Sequence, residues 1–171
     1  MKDYISAFGT LCVFSMASAC APGPLPAARA AGIEQKQCDT SSTDQEALVR
    51  STKVLSVAPL YSHIMNVGSA YERVDGVKLV VRPLPGVSAE RMTRILQCHS
   101  ARILLGQVQR EAIHSDPYWL PDRWVNIEVS SENGNFAVAL RADSVHDNLQ
   151  VLSHANEYAN NHMVASESEL P

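Results

Sequence analysis

Tyr71-Glu72-Arg73-Val74-Asp75-Gly76-Val77-Lys78-Leu79-Val80-Val81-Arg82, closed by Pro83-Leu84-Pro85-Gly86-Val87 and then Ser88, is the stretch that decides the fold. Asp75-Gly76 accepts the positive φ of a two-residue turn, so two strands paired as a hairpin are expected around it. Val77, Leu79 and Val81 share one strand face, with Lys78 and Arg82 on the other. Pro83 and Pro85 end the strand, since each removes a backbone donor. Ser88 then caps a helix, and Val87 and Met92 stand where a hydrophobic staple would close. On that helix Met92, Leu96, His99 and Ile103 fall on one stripe, with Ile95 at its edge. Arg91, Arg94 and Arg102 lie off the stripe and read as a solvated basic face, continued by Arg110. Gly106 closes the helix.

Downstream, Asp116-Pro117-Tyr118-Trp119-Leu120-Pro121 is an aromatic loop bounded by prolines, expected to pack on the domain. Val125, Ile127 and Val129 alternate inward, Glu132-Asn133-Gly134-Asn135 turns, and Phe136, Val138 and Leu140 continue the sheet. Ser144 starts a second helix with Val145, Leu149, Leu152 and Ala159 as its buried face. The order β-β-α-β-β-α predicts an α+β two-layer sandwich over residues 52–159. Its antiparallel sheet carries both helices on one face, as in a ferredoxin-like plait.

The other end of the chain speaks of destination. Lys2 begins a weakly charged start that Asp3 cancels, and Ile5 to Met16 is mostly apolar, too short to span a bilayer. Ala17-Ser18-Ala19-Cys20 resembles the lipobox of bacterial lipoproteins, although Ala17 stands where that family prefers Leu. The resemblance implies that residues 1–19 are a signal peptide and that Cys20 is lipidated. It further implies an exported chain, periplasmic or held by lipid in the membrane, with the outer membrane as destination because Ala21, not Asp, follows the cysteine. Plain secretory cleavage nearby, or within Ala27-Ala28-Arg29-Ala30-Ala31, is the alternative. Residues 20–51 read as a Pro/Ala-rich flexible tether, with at most a short helix from Asp44 to Val49, and 160–171 as a flexible tail.

The 171 residues carry 14 Lys and Arg against 18 Asp and Glu, a net charge of -4, which gives no basic face for nucleic acid. No phosphate-cradling glycine loop is present for a nucleotide and no Gly-x-Ser-x-Gly for a hydrolase, so no catalytic residue is assigned. Asp75, Asp122 and Asp143 sit at expected turns or caps. Four cysteines remain to be placed. Cys12 leaves with the signal peptide and Cys20 takes lipid. Cys38 and Cys98 are then an even pair, free to bridge in an oxidising compartment or to stand as a free thiol and a small buried hydrophobe. Cys98-His99 is also the candidate metal site, for zinc or copper. Helix neighbours point about 100° apart, so a partner such as His63 or His114 must complete it. A lone His on an apolar stripe otherwise reads as a core histidine. His146 and His154 read as surface, and His162 shares their face only if the helix reaches it.

Val80 to Glu90, Leu96-Gln97-Cys98-His99-Ser100-Ala101-Arg102 and Gly134-Asn135-Phe136-Ala137-Val138 together resemble a group of uncharacterised secreted proteins of predatory and soil bacteria, over residues 59–155. No activity comes with that resemblance. The expectation is an envelope lipoprotein that binds an envelope protein or plays a structural part without catalysis. The alternative is a periplasmic metal-binding or redox protein using Cys98 and His99.

Overall fold

The computed structural model describes residues 25–38, 42–66, 69–108 and 115–162. The elements in chain order are α1 (Pro26–Gln37), α2 (Ser42–Ser51), β1 (Val54–Asn66), β2 (Ser69–Val81), α3 (Ala89–Leu104), β3 (Asn126–Glu132), β4 (Asn135–Arg141) and α4 (Val145–His162). The strands form one antiparallel sheet in the order β1-β2-β4-β3. β2 and β3 therefore run parallel on either side of β4, with α3 crossing between them. The body has the order β-β-α-β-β-α, with Val54–Asn66 as its first strand where none was expected, and the fold is α+β. It opens on a hairpin, whereas a ferredoxin-like plait opens on a βαβ unit.

The alternation in β2 is what builds the core. Val77, Leu79 and Val81 are fully buried and join Val138, Leu140 and Ile127 from the neighbouring strands. Met92, Ile95 and Leu96 of α3 and Val151, Ala155 and Tyr158 of α4 close over the same face. The opposite face is held by charge: Lys78 meets Glu132 at 3.0 Å, and Arg141 lies 3.6 Å from Glu128 and 3.8 Å from Asp75. Such exposed pairs add little stability but keep an uncovered sheet face wet. Ser88 accepts from the Arg91 backbone N–H and Ser144 from that of Asp147, so both helices start on a serine cap.

Four expectations need correction. Asp75-Gly76 is not the hairpin turn. β2 runs through it, and the register shifts opposite, between Leu60 and Tyr61. Gly76 is demanded by crowding instead, for a Cβ there would fall on the Leu140 carbonyl oxygen of β4. Within the segment expected as a tether, Pro26–Gln37 and Ser42–Ser51 are helices, the second extending the short helix expected from Asp44 to Val49. Pro26 opens α1, where its missing N–H costs nothing. α1 packs Ala30 against Ala101 and Trp124, and Arg29 lies over the Trp124 ring at 4.6 Å. Arg102 is not solvated, because α1 covers its side of α3: it is 2% exposed and 3.3 Å from Glu34. Of the face expected for α4, Ala159 is buried and Leu152 packs partly on the core, but Val145 and Leu149 are exposed, since Asn148, Val151, Ala155 and Tyr158 face inward. Asn148 sets that face. Its amide accepts from the Ala142 N–H at 2.7 Å and donates to the Ala142 carbonyl at 3.3 Å, and so clamps the end of β4 to α4. α4 runs on to His162; residues 1–24, the tail beyond it, and Arg110 lie outside the described residues.

Gly76→Ala is expected to destabilise the fold by about 2 kcal/mol, since backbone on β4 must move to admit the methyl group. Urea denaturation checks it; an unchanged midpoint would show that β4 yields freely.

Candidate functional site

His99 is the chemical centre of the molecule. The stripe on α3 turns it inward, where it is 6% exposed. A buried imidazole needs partners for both ring nitrogens. They come from two different elements. Nδ1–H donates to Glu46 Oε2 of α2 at 2.7 Å, and Nε2–H donates to Asp116 Oδ2 of the aromatic loop at 2.6 Å. Burial opposes the charge on the ring. Asp116 and then Glu46 outweigh burial, and raise His99 from the usual 6.5 to about 9. The ring is therefore an imidazolium at neutral pH, clamped between two carboxylates.

The carboxylates are themselves positioned. Asp116 Oδ1 accepts the Tyr118 backbone N–H at 2.8 Å, a local turn that fixes the loop. Tyr118 is fully buried and meets the His99 ring edge-on at 6.1 Å. Tyr158 of α4 packs on Tyr118 at 5.9 Å, and its hydroxyl donates to the Val49 carbonyl of α2. Burial holds both phenols well above their ordinary range. One turn along α3 from His99, Arg102 donates to Gln45 of α2 at 2.8 Å and to Glu34 of α1. Glu46 and Gln45 thus dock α2 on two polar residues of α3.

The Cys98 side chain points to the other side. Its sulfur is bonded to Cys38 at 2.11 Å, with Cα atoms 5.6 Å apart, and the bond staples the end of α1 to the middle of α3. A disulfide sulfur offers no thiolate to a metal. His99, with both nitrogens donating, offers no lone pair. The two acids grip opposite sides of the ring, so the three groups do not converge on one point. Among the described residues no group of three His, Cys, Asp or Glu side chains could hold a metal ion.

The other histidines fall elsewhere. His63 sits on β1 beside Glu72 at 3.6 Å, well exposed. His114 lies outside the described residues, as do Cys12 and Cys20. His146 is exposed. His154, expected at the surface, is half-buried with Nδ1 3.3 Å from the Asp116 carbonyl oxygen. His162 stacks on Tyr158 at 3.9 Å. A cleft of about 320 Å³ opens beside this cluster, bordered by Glu46, Arg50, His99, Asp116, Tyr158 and His162. At its floor both His99 nitrogens are engaged, by Glu46 Oε2 and Asp116 Oδ2, while Glu46 Oε1 is buried without a hydrogen-bond partner among the described residues.

Glu46 and Asp116 are the residues that sequence reasoning missed. Glu46 lay in a segment read as tether, and Asp116 in a loop read for its aromatics. The signal was His99 itself, since a histidine on an apolar stripe requires polar partners from somewhere. Comparison with protein-family models, with curated protein sequences and with solved structures returns no significant match.

The clamp has a pH signature. The folded His99 titrates above its unfolded value, so its stabilisation is complete below about pH 6.5 and is lost as pH rises through about 9. The urea midpoint is expected to fall across that window. His99→Leu leaves Glu46 and Asp116 buried without their partner, at a cost of roughly 3 kcal/mol, and should flatten the same pH dependence. A wild-type midpoint that stays level from pH 6.5 to 9.5 would remove the imidazolium from the core.

Proposed function

We propose that the chain is an exported envelope lipoprotein whose folded domain is a disulfide-stapled binding or structural module without a catalytic centre of its own. The observation that carries this reading is the Cys38–Cys98 bond. Disulfides persist in oxidising compartments, and a bond with one sulfur on a buried helix residue, 1% exposed at Cys98, has the character of a structural staple. Export through the amino-terminal segment supplies that compartment. A lipid on Cys20 gives the membrane attachment, with the outer membrane as its site, and an envelope protein is the partner. Helix α1 begins at Pro26, only a few residues beyond Cys20, so the lipid holds the domain close to the membrane surface. Among the described residues no helix is long and apolar enough to cross a membrane.

A ferredoxin-like arrangement of the domain belongs to the same proposal. It is supported by β2 and β3 running parallel around β4 with α3 as the crossover, the split βαβ arrangement. The alternative, a metal or redox centre at Cys98 and His99, has less support, since the sulfur is bonded and both ring nitrogens are engaged.

Two measurements test the reading. Cells producing the chain should incorporate radiolabelled palmitate, and Cys20→Ala should not; label that persists in Cys20→Ala overturns the lipid anchor. The protein isolated without reductant should weigh two hydrogens less than the reduced chain and resist alkylation at Cys38 and Cys98. The bond closes a sequence separation of 60 residues, so the chain-entropy estimate for its removal is about 4 kcal/mol. Cys38→Ser should therefore lower stability by up to that amount and open α1 to trypsin after Arg29 and Lys36. Two thiols that alkylate freely in the native protein would take away the staple and, with it, the argument for an oxidising compartment.

A further inference from the structure

β1 and β2 are each 13 residues long, yet β2 meets β4 only over Val77–Val81. Outward from the pair Tyr61–Val74 to the pair Asn66–Ser69, the hairpin is a two-stranded ribbon with no third strand. A ribbon of that kind is marginal in water by itself. This one exposes apolar side chains on both faces, beside the His63–Glu72 pair on one and Ser62 and Arg73 on the other. Tyr61 and Met65 stand on one, Ile64 and Tyr71 on the other, and Tyr61, Met65 and Tyr71 are 54%, 84% and 49% exposed.

The two edges of the sheet are treated differently. β3, at one edge, is 7 residues long and carries Glu128 and Glu132, the charges that ordinarily discourage edge pairing. β1, at the other, contains no Asp, Glu, Lys or Arg along its whole length. Its inner half is guarded by Pro59 and by the register shift between Leu60 and Tyr61. Tyr61 to Asn66 has neither device, and its outward row of backbone N–H and C=O groups meets no strand of this sheet.

We propose that the outer half of β1 is a self-pairing edge, joining a second copy of this chain antiparallel about a local two-fold axis. Charge selects the occupant. In an isologous contact a charge near the axis faces its own copy, so a strand free of fixed charge is the kind that can pair with itself. On a chain of net charge -4 a strand whose one histidine, His63, stands beside Glu72 at 3.6 Å is also where two copies approach with little repulsion. Pairing satisfies the open backbone row, and Tyr61 and Met65 of each copy come to lie against the other's apolar face. The proposal goes beyond the envelope reading and stands independently of it.

Sedimentation velocity of the full chain in mild detergent, from submicromolar to high micromolar concentration, should show a reversible monomer–dimer equilibrium. Tyr61→Lys with Met65→Lys places like charges across the axis at two exposed positions and should raise the dimer Kd about tenfold or more. Ser130→Lys, on the opposite edge, should leave it unchanged. Hydrogen exchange on the unsubstituted chain gives an independent check, with amide protection over 61–66 rising as concentration rises. The same dimer should form in Cys20→Ala, so loss of the lipid anchor and loss of self-pairing are separable results. A monomer at every concentration, a dimer indifferent to Tyr61→Lys with Met65→Lys, or protection over 61–66 that ignores concentration would each overturn the proposal.

Discussion

A protonated histidine buried between two carboxylates is the constraint on which the arrangement of this molecule depends. His99 alone on α3 would be costly, since an imidazole sealed from water with unpaired nitrogens loses the hydrogen bonds it had in the unfolded chain. Glu46 alone or Asp116 alone would be more costly still, each a buried charge without a counterpart. Together they pair both ring nitrogens with a carboxylate oxygen, and the geometry of a flat ring with nitrogens on opposite edges sets where α2 and the 115–120 loop must lie. The clamp therefore ties three segments that are far apart in sequence. Its favourable energy is modest, because desolvation offsets most of the attraction. Its effect on register is large, since displacement of any one member strands the others.

A second layer of order is built on the opposite side of the same helix. Cys98 and Arg102 face α1, where the disulfide fixes one end and the Arg29–Trp124 contact holds the other. α3 is thus covered on three sides, by the sheet at Met92 and Leu96, by α2 at His99 and by α1 at Cys98 and Ala101, with Arg91 and Arg94 left exposed. This explains why a helix with arginines off its apolar stripe is buried at nine positions from Met92 to Ile103. It also explains why the amino-terminal segment, poor in large apolar residues, is ordered at all. Ala30 contributes little burial, but a covalent link and a buried ion pair do not require a wide hydrophobic face.

Much of the sheet was legible because its signal is local. Alternation in Val77–Val81 and Val125–Val129, the Asn133-Gly134 turn and the Ser88 and Ser144 caps each act within a few residues, and each is found where the pattern puts it. The Asp75-Gly76 pair was misread for an instructive reason. A glycine demanded by a tight turn and one demanded by a neighbouring strand look alike in sequence, and only β4 distinguishes them. The inward face of α4 was hidden similarly. Apolar periodicity favoured Val145 and Leu149, but the free backbone groups of Ala142 required Asn148 on the inside.

The sequence by itself determined the α+β class, the inward face of α3 and the elements from Val77 onward, because these follow from backbone propensity and side-chain period over short spans; β1 (Val54–Asn66) was not read as a strand, and the two strands expected around Asp75-Gly76 are one. It also narrowed the cysteine pair to Cys38 and Cys98 without deciding between a bridge and free thiols. Only the tertiary structure decided that α1 and α2 belong to the fold, that His99 is charged, and that Glu46 and Asp116 are its partners. The reason is physical: a residue's need for a partner is written locally, but the partner is chosen by which distant segment the chain brings within about 3 Å, and no period or motif records that distance.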